Sequence, residues 1–427
     1  MSGIEGNGQP DLAQSFLKIA LNLIQVLRLD VDPDDSPWLY QFNLSPREKE
    51  DRRRAFWCIF WYASKANATS ADVFDMQINS DKIKGPSAVT DPYPIFETSA
   101  MTKPLCNIYT VMASVKKLYS TSPKSIHDIL FSEKVLKLHT KMSIVHSELP
   151  IDHLLISESP EVILQQDRVR FISQQDRLVG TAARAENLNS NIEVFASTCV
   201  LNRPILYLSA LKSCHPSRIT IDVQNIIASS ISQCLDASHR ILNLVAFFLD
   251  PRCLQTTLPS QNSFYPVLEA VIVLWFATCR MDPVWWSVMQ RKRHEWRSLK
   301  ALVLQAIAFV ERLKNDTENH GGGGGHRQES GVVPPISICM RAMVREIEEN
   351  EASRHFIRIE QSSNNCSDGG GIGGITLGMT VVSLDGSDES VIIKEPKAYL
   401  GLLGMQVGGV KWPGPIEESW RLFWKLN

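Results

Sequence analysis

Three consecutive arginines, Arg52, Arg53 and Arg54, are the residues of this chain best suited to gripping an anion, because a guanidinium fork matches a phosphate or a carboxylate. Their neighbours point away from nucleic acid. Glu48, Glu50 and Asp51 precede them and Phe56, Trp57, Ile59, Phe60 and Trp61 follow, so the row joins a solvated helix end to a buried one. One or two of the arginines are expected to pair with acidic partners across helices. A second basic group, Arg291, Lys292, Arg293 and His294 with Arg297, sits among Trp285, Trp286 and Trp296 and reads as a solvated helix end. Asp30, Asp32, Asp34 and Asp35 have the density of a metal-binding aspartate cluster. An all-α terpene cyclase would add an N-D-x-x-S-x-x-x-E helix, and Asn315-Asp316-Thr317-Glu318 lacks the Ser and the distal Glu. The acidic run reads as a helix-terminating turn.

Gly369, Gly371 and Gly374 satisfy the G-x-G-x-x-G spacing, but no strand pattern precedes them and no helical pattern follows, so no dinucleotide site is assigned. The nine cysteines contain no C-x-x-C pair, and most lie in apolar helical runs, where they read as buried thiols of a reducing compartment. No zinc is expected to bind at stoichiometric level. No nucleophile elbow, P-loop or H-E-x-x-H occurs. No catalytic, cofactor-binding or metal-ligating residue is assigned, no cofactor is expected, and the chain reads as a non-enzyme.

Composition bounds the fold. Among 427 residues, 44% are hydrophobic and 21% charged, with 16 Phe and 10 Trp, enough for a sizeable core. Lys plus Arg is 44 against 46 Asp plus Glu, so the net charge of −2 gives no global basic field for nucleic acid. The longest apolar runs, 242–249 and 270–279, fall well short of the ~18 residues of a membrane span.

The elements that must position these residues are helices. Leu12, Phe16, Ile19, Leu23, Val26 and Leu27 recur at helical spacing, widened by Ala20 and Ile24. After the acidic turn, Ser45, Pro46 and Glu48 form a capping box for a helix reaching about Lys65. Leu105 to Leu118 has helical spacing, and Ser125 with Asp128 predicts a second capping box before a helix over 129–149. Further helices are predicted over 161–178, 192–211 with a break at Leu201-Asn202-Arg203-Pro204, 221–249, 265–280, 296–313 and 336–351. The chain reads as all-α.

The stretch from Ser45 resembles the fungal-specific transcription factor domain, or middle homology region, of zinc-cluster transcription regulators. That family carries an S-x-x-E-x-E-x-R-R-R-x-F/W-W helix, matched here by Ser45, Glu48, Glu50, Arg52, Arg53, Arg54, Phe56 and Trp57. Leu27 to Pro33 occupies the place of the family's G-L-H-x-D-P-like turn. Arg203, Pro204, Ile205 and Leu206 match its L-H-R-P-F/I-L, with Asn202 for the usual His, and Cys234 to Ile241, including Ala237, resembles its C-x-x-A-A-x-x-I helix. The loop over 69–94 has diverged from the family.

The resemblance implies a multi-helical regulatory domain over 11–360, followed by a loose Gly-rich tail over 361–427. It implies the regulatory part of a nuclear fungal transcription factor acting on RNA polymerase II transcription. Other regulators or coactivators would be partners, a small molecule a possible effector, and DNA would be reached only through a zinc cluster or a partner. No such cysteine run occurs in the chain, and specific DNA binding by the chain alone is not expected. A helical small-molecule receptor and a metal-dependent enzyme are the rivals. Because family members carry helices ahead of the one matched here, the chain is expected to be a fragment or a short form, exposing apolar surface on its first helix and around Trp57. Glu417, Glu418, Trp420, Phe423 and Trp424 suit a docking or activating segment, or one that packs back on the helical body.

Overall fold

The computed structural model describes residues 10–69, 80–86, 101–118, 125–149, 183–249, 264–289, 300–309 and 340–349, the last without 342 and 346. The described residues are about 82% helical and contain no strand, so the fold is all-α. In chain order the helices are α1 (Pro10–Val26), α2 (Pro46–Thr69), α3 (Thr102–Leu118), α4 (Ile126–Leu130), α5 (Glu133–Ser147), α6 (Ala183–Leu208), α7 (Ile221–Leu249), α8 (Phe264–Cys279) and α9 (Val284–Val288). Stretches 300–309 and 340–349 are also helical. The expected helix over 161–178, the Arg291 cluster, the Gly369 to Gly374 motif and the terminal acidic and aromatic segment lie outside the described residues.

α1 ends in a hydrogen-bonded reversal. Arg28 takes a left-handed φ of 53°, which lets the Leu29 amide donate to the Ile24 carbonyl at 2.8 Å and the Arg28 amide to Gln25 at 3.1 Å. This is a Schellman closure, and the Ile24 and Leu29 side chains it brings together are both buried in one small core. α2 starts from the capping box: the Glu48 amide donates to Ser45 Oγ at 3.3 Å, and the Ser45 amide to Glu48 Oε2 at 2.8 Å. Ser45→Ala is therefore expected to cost about 1 kcal/mol of stability, read by urea denaturation. No measurable change would mean that the cap does not limit α2.

The helices share two apolar clusters. The larger is built from α3 to α9, the end of α2 at Ala68 and the 300–309 and 340–349 stretches, with α6, α7 and α8 packed against one another. The smaller holds Ile24, Leu29, Phe56, Trp57, Phe60, Ile83 and Cys106, joining α1 to α2 and α3.

Three expectations are corrected. The helix over 129–149 is two: α4 closes at Phe131, and Ser132 caps α5 by accepting from the Val135 amide at 3.3 Å. A second Ser cap restarts the helix where one was expected to continue. Pro204 does not break α6, which runs through it. Proline forfeits one hydrogen bond to the carbonyl four residues earlier, but the flanking residues are buried among α7 and α8, and packing outweighs the local loss. The Trp57 region is not open, because Ile24, Leu29, Ile83 and Cys106 cover it. α1 does expose its stripe, from Phe16 to Leu27.

Candidate functional site

The arginine triplet is divided among three tasks. Arg52 Nη2 donates to the carbonyls of Leu27 at 2.6 Å and Arg28 at 3.3 Å, satisfying oxygens left free by the end of α1 and placing a cation at its negative end. Arg53 clasps Asp32 with two bonds, Nε to Oδ2 at 3.0 Å and Nη2 to Oδ1 at 2.7 Å, and Nη2 also reaches Asp34 Oδ2 at 2.7 Å. Arg54 lies 3.7 Å from Glu50, on its own helix. The acidic turn is thereby fastened to α2.

Asp32 is buried and fully engaged: its carboxylate also accepts from the amides of Asp34 and Lys84, each at 3.0 Å. Asp34 takes Lys84 at 2.7 Å and Lys49 at 3.0 Å. Of the four carboxylates with the density of a metal cluster, Asp32 and Asp34 are thus occupied by cations and amides, while Asp30 Oδ1 is buried without a hydrogen-bond partner. No group of three or more His, Cys, Asp or Glu among the described residues is placed to hold a metal.

Lys84 and then Lys49 hold the Asp34 carboxyl well below the ordinary 3.8. At Asp32, burial pushes the carboxyl up, but the Arg53 hydrogen bonds and the two backbone amides outweigh it, and the net displacement is downward. Depressed carboxylates stabilise the fold above their unfolded value, and that contribution is lost as pH falls below about 3.8 through the folded values. The midpoint of thermal unfolding is therefore expected to drop below about pH 4. Asp32→Asn should already be less stable at neutral pH and show a shallower fall. Parallel pH profiles for the two proteins would contradict the clasp.

The second matched stretch forms the interior of the large core. Arg203 and Glu269 are 1% and 2% exposed at the side chain, and Arg203 Nη1 donates to Glu269 Oε2 at 2.5 Å, tying α6 to α8. Burial pushes the Glu269 carboxyl up while the guanidinium pulls it down. Arg203 also lies 5.9 Å from the centre of the Tyr207 ring. Pro204, Ile205 and Leu206 are buried beside it.

The third stretch packs on the second. Cys234 Sγ donates to the Cys199 carbonyl at 3.8 Å, Cys199 Sγ to the Cys234 carbonyl at 3.7 Å, and Ser238 Oγ stands 3.5 Å from Cys199 Sγ. Ala237 is buried on the same helix. Burial pushes the Cys199 thiol up to about 12 and Cys234 well above its ordinary value, so both stay protonated and poor as nucleophiles or metal ligands. Cys58, by contrast, is exposed on α2 and Cys279 is half-buried, so burial does not hold for every thiol.

Sequence reasoning missed two partners. Glu269 is the one charged residue in α8, and a lone acid in an apolar helix is a signal that a buried cation faces it. Glu193 of α6 is buried with Tyr109 of α3, to which it is hydrogen-bonded, and Lys65 of α2 lowers its carboxyl against the larger raising effect of burial. His146 Nε2 lies 3.1 Å from Ser197 Oγ, but that hydroxyl is buried and donates to the Val194 carbonyl at 2.7 Å, so the pair is not an activated nucleophile. No described helix is long and apolar enough to cross a membrane.

Arg52, Arg53, Arg203, Glu193 and the Cys199–Cys234 pair each tie one helix to another helix or to the turn beside it. No family model, no curated protein and no solved structure matches the chain.

Proposed function

We propose that the chain is the regulatory part of a fungal transcription factor, controlling RNA polymerase II transcription in the nucleus without an enzymatic activity. DNA contact belongs to a zinc-cluster module or a partner outside the described helices, and the helical body engages other regulators or coactivators. One observation supports the reading most. The residues that carry the resemblance in separate stretches are the internal ties of the fold: Arg53 with Asp32 of the acidic turn, Arg203 at the heart of α6, and Cys234 reciprocally bonded to Cys199. A shared motif made of such ties reflects a shared helical body.

The test is to fuse the chain to a heterologous DNA-binding module in a fungal host carrying a matching reporter. A change in reporter output over the DNA-binding module alone is expected, together with its loss when Glu269→Ala unfolds the body. A stable, nuclear fusion that leaves the reporter unchanged would overturn the reading.

A further inference from the structure

A hydroxyl, an imidazole and a carboxylate stand in a row at the short 3-10 turn Pro216–Arg218, between α6 and α7. His215 Nδ1 lies 2.7 Å from Ser217 Oγ, and His215 Nε2 lies 3.9 Å from Asp282 Oδ2. The order is that of a nucleophile, a base and the group that orients the base. The backbone decides where the ring carries its hydrogen. The Ser217 amide donates to His215 Nδ1 at 3.2 Å, so that nitrogen is an acceptor and the hydrogen of the neutral ring is on Nε2, toward the carboxylate. Nδ1 therefore turns a lone pair to the Ser217 hydroxyl.

Two separate segments hold the row in place. Pro216 opens the turn with its fixed φ, and His215, at ψ 135°, folds its ring over the turn as the cap. The carboxylate comes from the connection between α8 and α9. The Asp282 amide donates to the Ser209 carbonyl at 3.1 Å and its Oδ1 accepts from the Val284 amide at 3.0 Å, which leaves Oδ2 to face His215. Ser217 is exposed, and the side chains of His215 and Asp282 are each 32% exposed. A small electrophile can thus reach this hydroxyl, whereas that of Ser197 is buried.

We propose that Ser217 is an acyl acceptor, modified once by an activated acyl thioester, with His215 as general base and Asp282 as the residue that positions it. Ser217 Oγ bonds to the thioester carbonyl carbon and its hydrogen passes to His215 Nδ1. The carbon–sulfur bond then breaks, and the leaving thiolate takes that proton, so the products are an ester and a thiol. The nearest amides, those of Ser217 and Arg218, already donate to His215 Nδ1 and to the His215 carbonyl, and neither is left to hold an oxyanion. A nucleophile and base without those donors suit one acylation by a donor with a good leaving group, not turnover. The thioester carbonyl is neutral, whereas a phosphoryl donor would bring negative charge toward Asp282. The proposal does not depend on the transcriptional reading.

The full chain is incubated with S-phenyl thioacetate and, separately, with an alkyl fluorophosphonate, whose phosphorus takes the same hydroxyl as fluoride leaves. One acetyl or one phosphonyl group per chain, mapped to Ser217 by peptide mass spectrometry, is expected, with thiophenol release stopping at about one equivalent. His215→Ala should slow acetylation about a hundredfold, and added imidazole should restore it, which a loss of folding would not permit. Asp282→Asn should slow it several-fold with unchanged circular dichroism. Absence of either product, a product that maps to another residue, or thiophenol release that continues through many equivalents would overturn the proposal. So would undiminished acetylation in His215→Ala, or a loss there that imidazole does not restore.

Discussion

Glu269→Ala is expected to lower the stability of the chain by about 3–5 kcal/mol, because it removes the carboxylate paired with the Arg203 guanidinium at a site where both side chains are almost fully buried. The pair joins α6 to α8 where both are packed on α7, so the loss falls on the large core as a whole. Urea denaturation followed by far-ultraviolet circular dichroism reads the effect. The double variant Arg203→Met/Glu269→Leu is expected to recover most of the loss, since apolar side chains of similar volume often replace a buried pair without penalty. A loss below about 1 kcal/mol for Glu269→Ala would mean that the guanidinium finds another partner or reaches solvent.

Trp57→Ala is expected to cost about 3–5 kcal/mol, the usual range for emptying a buried aromatic site. Its ring is 1% exposed, edge to face with Phe56 and Phe60 at centre distances of 5.2 Å and 5.8 Å, and its Nε1–H donates to the Lys84 carbonyl at 2.8 Å. The small core it fills attaches α1 to the rest of the molecule through apolar contacts, and Arg52 on the Leu27 and Arg28 carbonyls and the Asp32–Arg53 clasp attach it through polar ones. Trp57→Phe should keep most of the packing and lose the hydrogen bond, costing about 1 kcal/mol more than the ring contraction itself. If Trp57→Ala unfolded no more readily than Ser45→Ala, the small core would contribute little.

What was legible in the sequence was local. The Ser45 cap follows from three neighbouring residues, and the all-α class from spacing repeated over many turns. The acidic surroundings of the arginine triplet pointed to internal partners for it. What was not legible depends on distance along the chain. Pro204 signals a break, yet burial between α7 and α8 carries α6 through it. Ser132 and Phe131 split a continuous apolar pattern, since a cap and a helix interior differ by only one turn of backbone. Trp57 was expected to be partly bare for want of the helices that precede it in the resembled family, and its covers, Ile83 and Cys106, come from segments whose approach no local pattern announces. Glu269 was visible as an oddity in α8, but its partner lies 66 residues away.

The most direct measurement is genome-wide chromatin occupancy of the tagged chain in its native host, paired with transcript changes on its deletion. Enrichment at promoters, with altered transcription of the bound genes and loss of both in Glu269→Ala, is the expected result. A stably folded, abundant chain that occupies no chromatin and whose deletion changes no transcript would contradict the transcriptional reading.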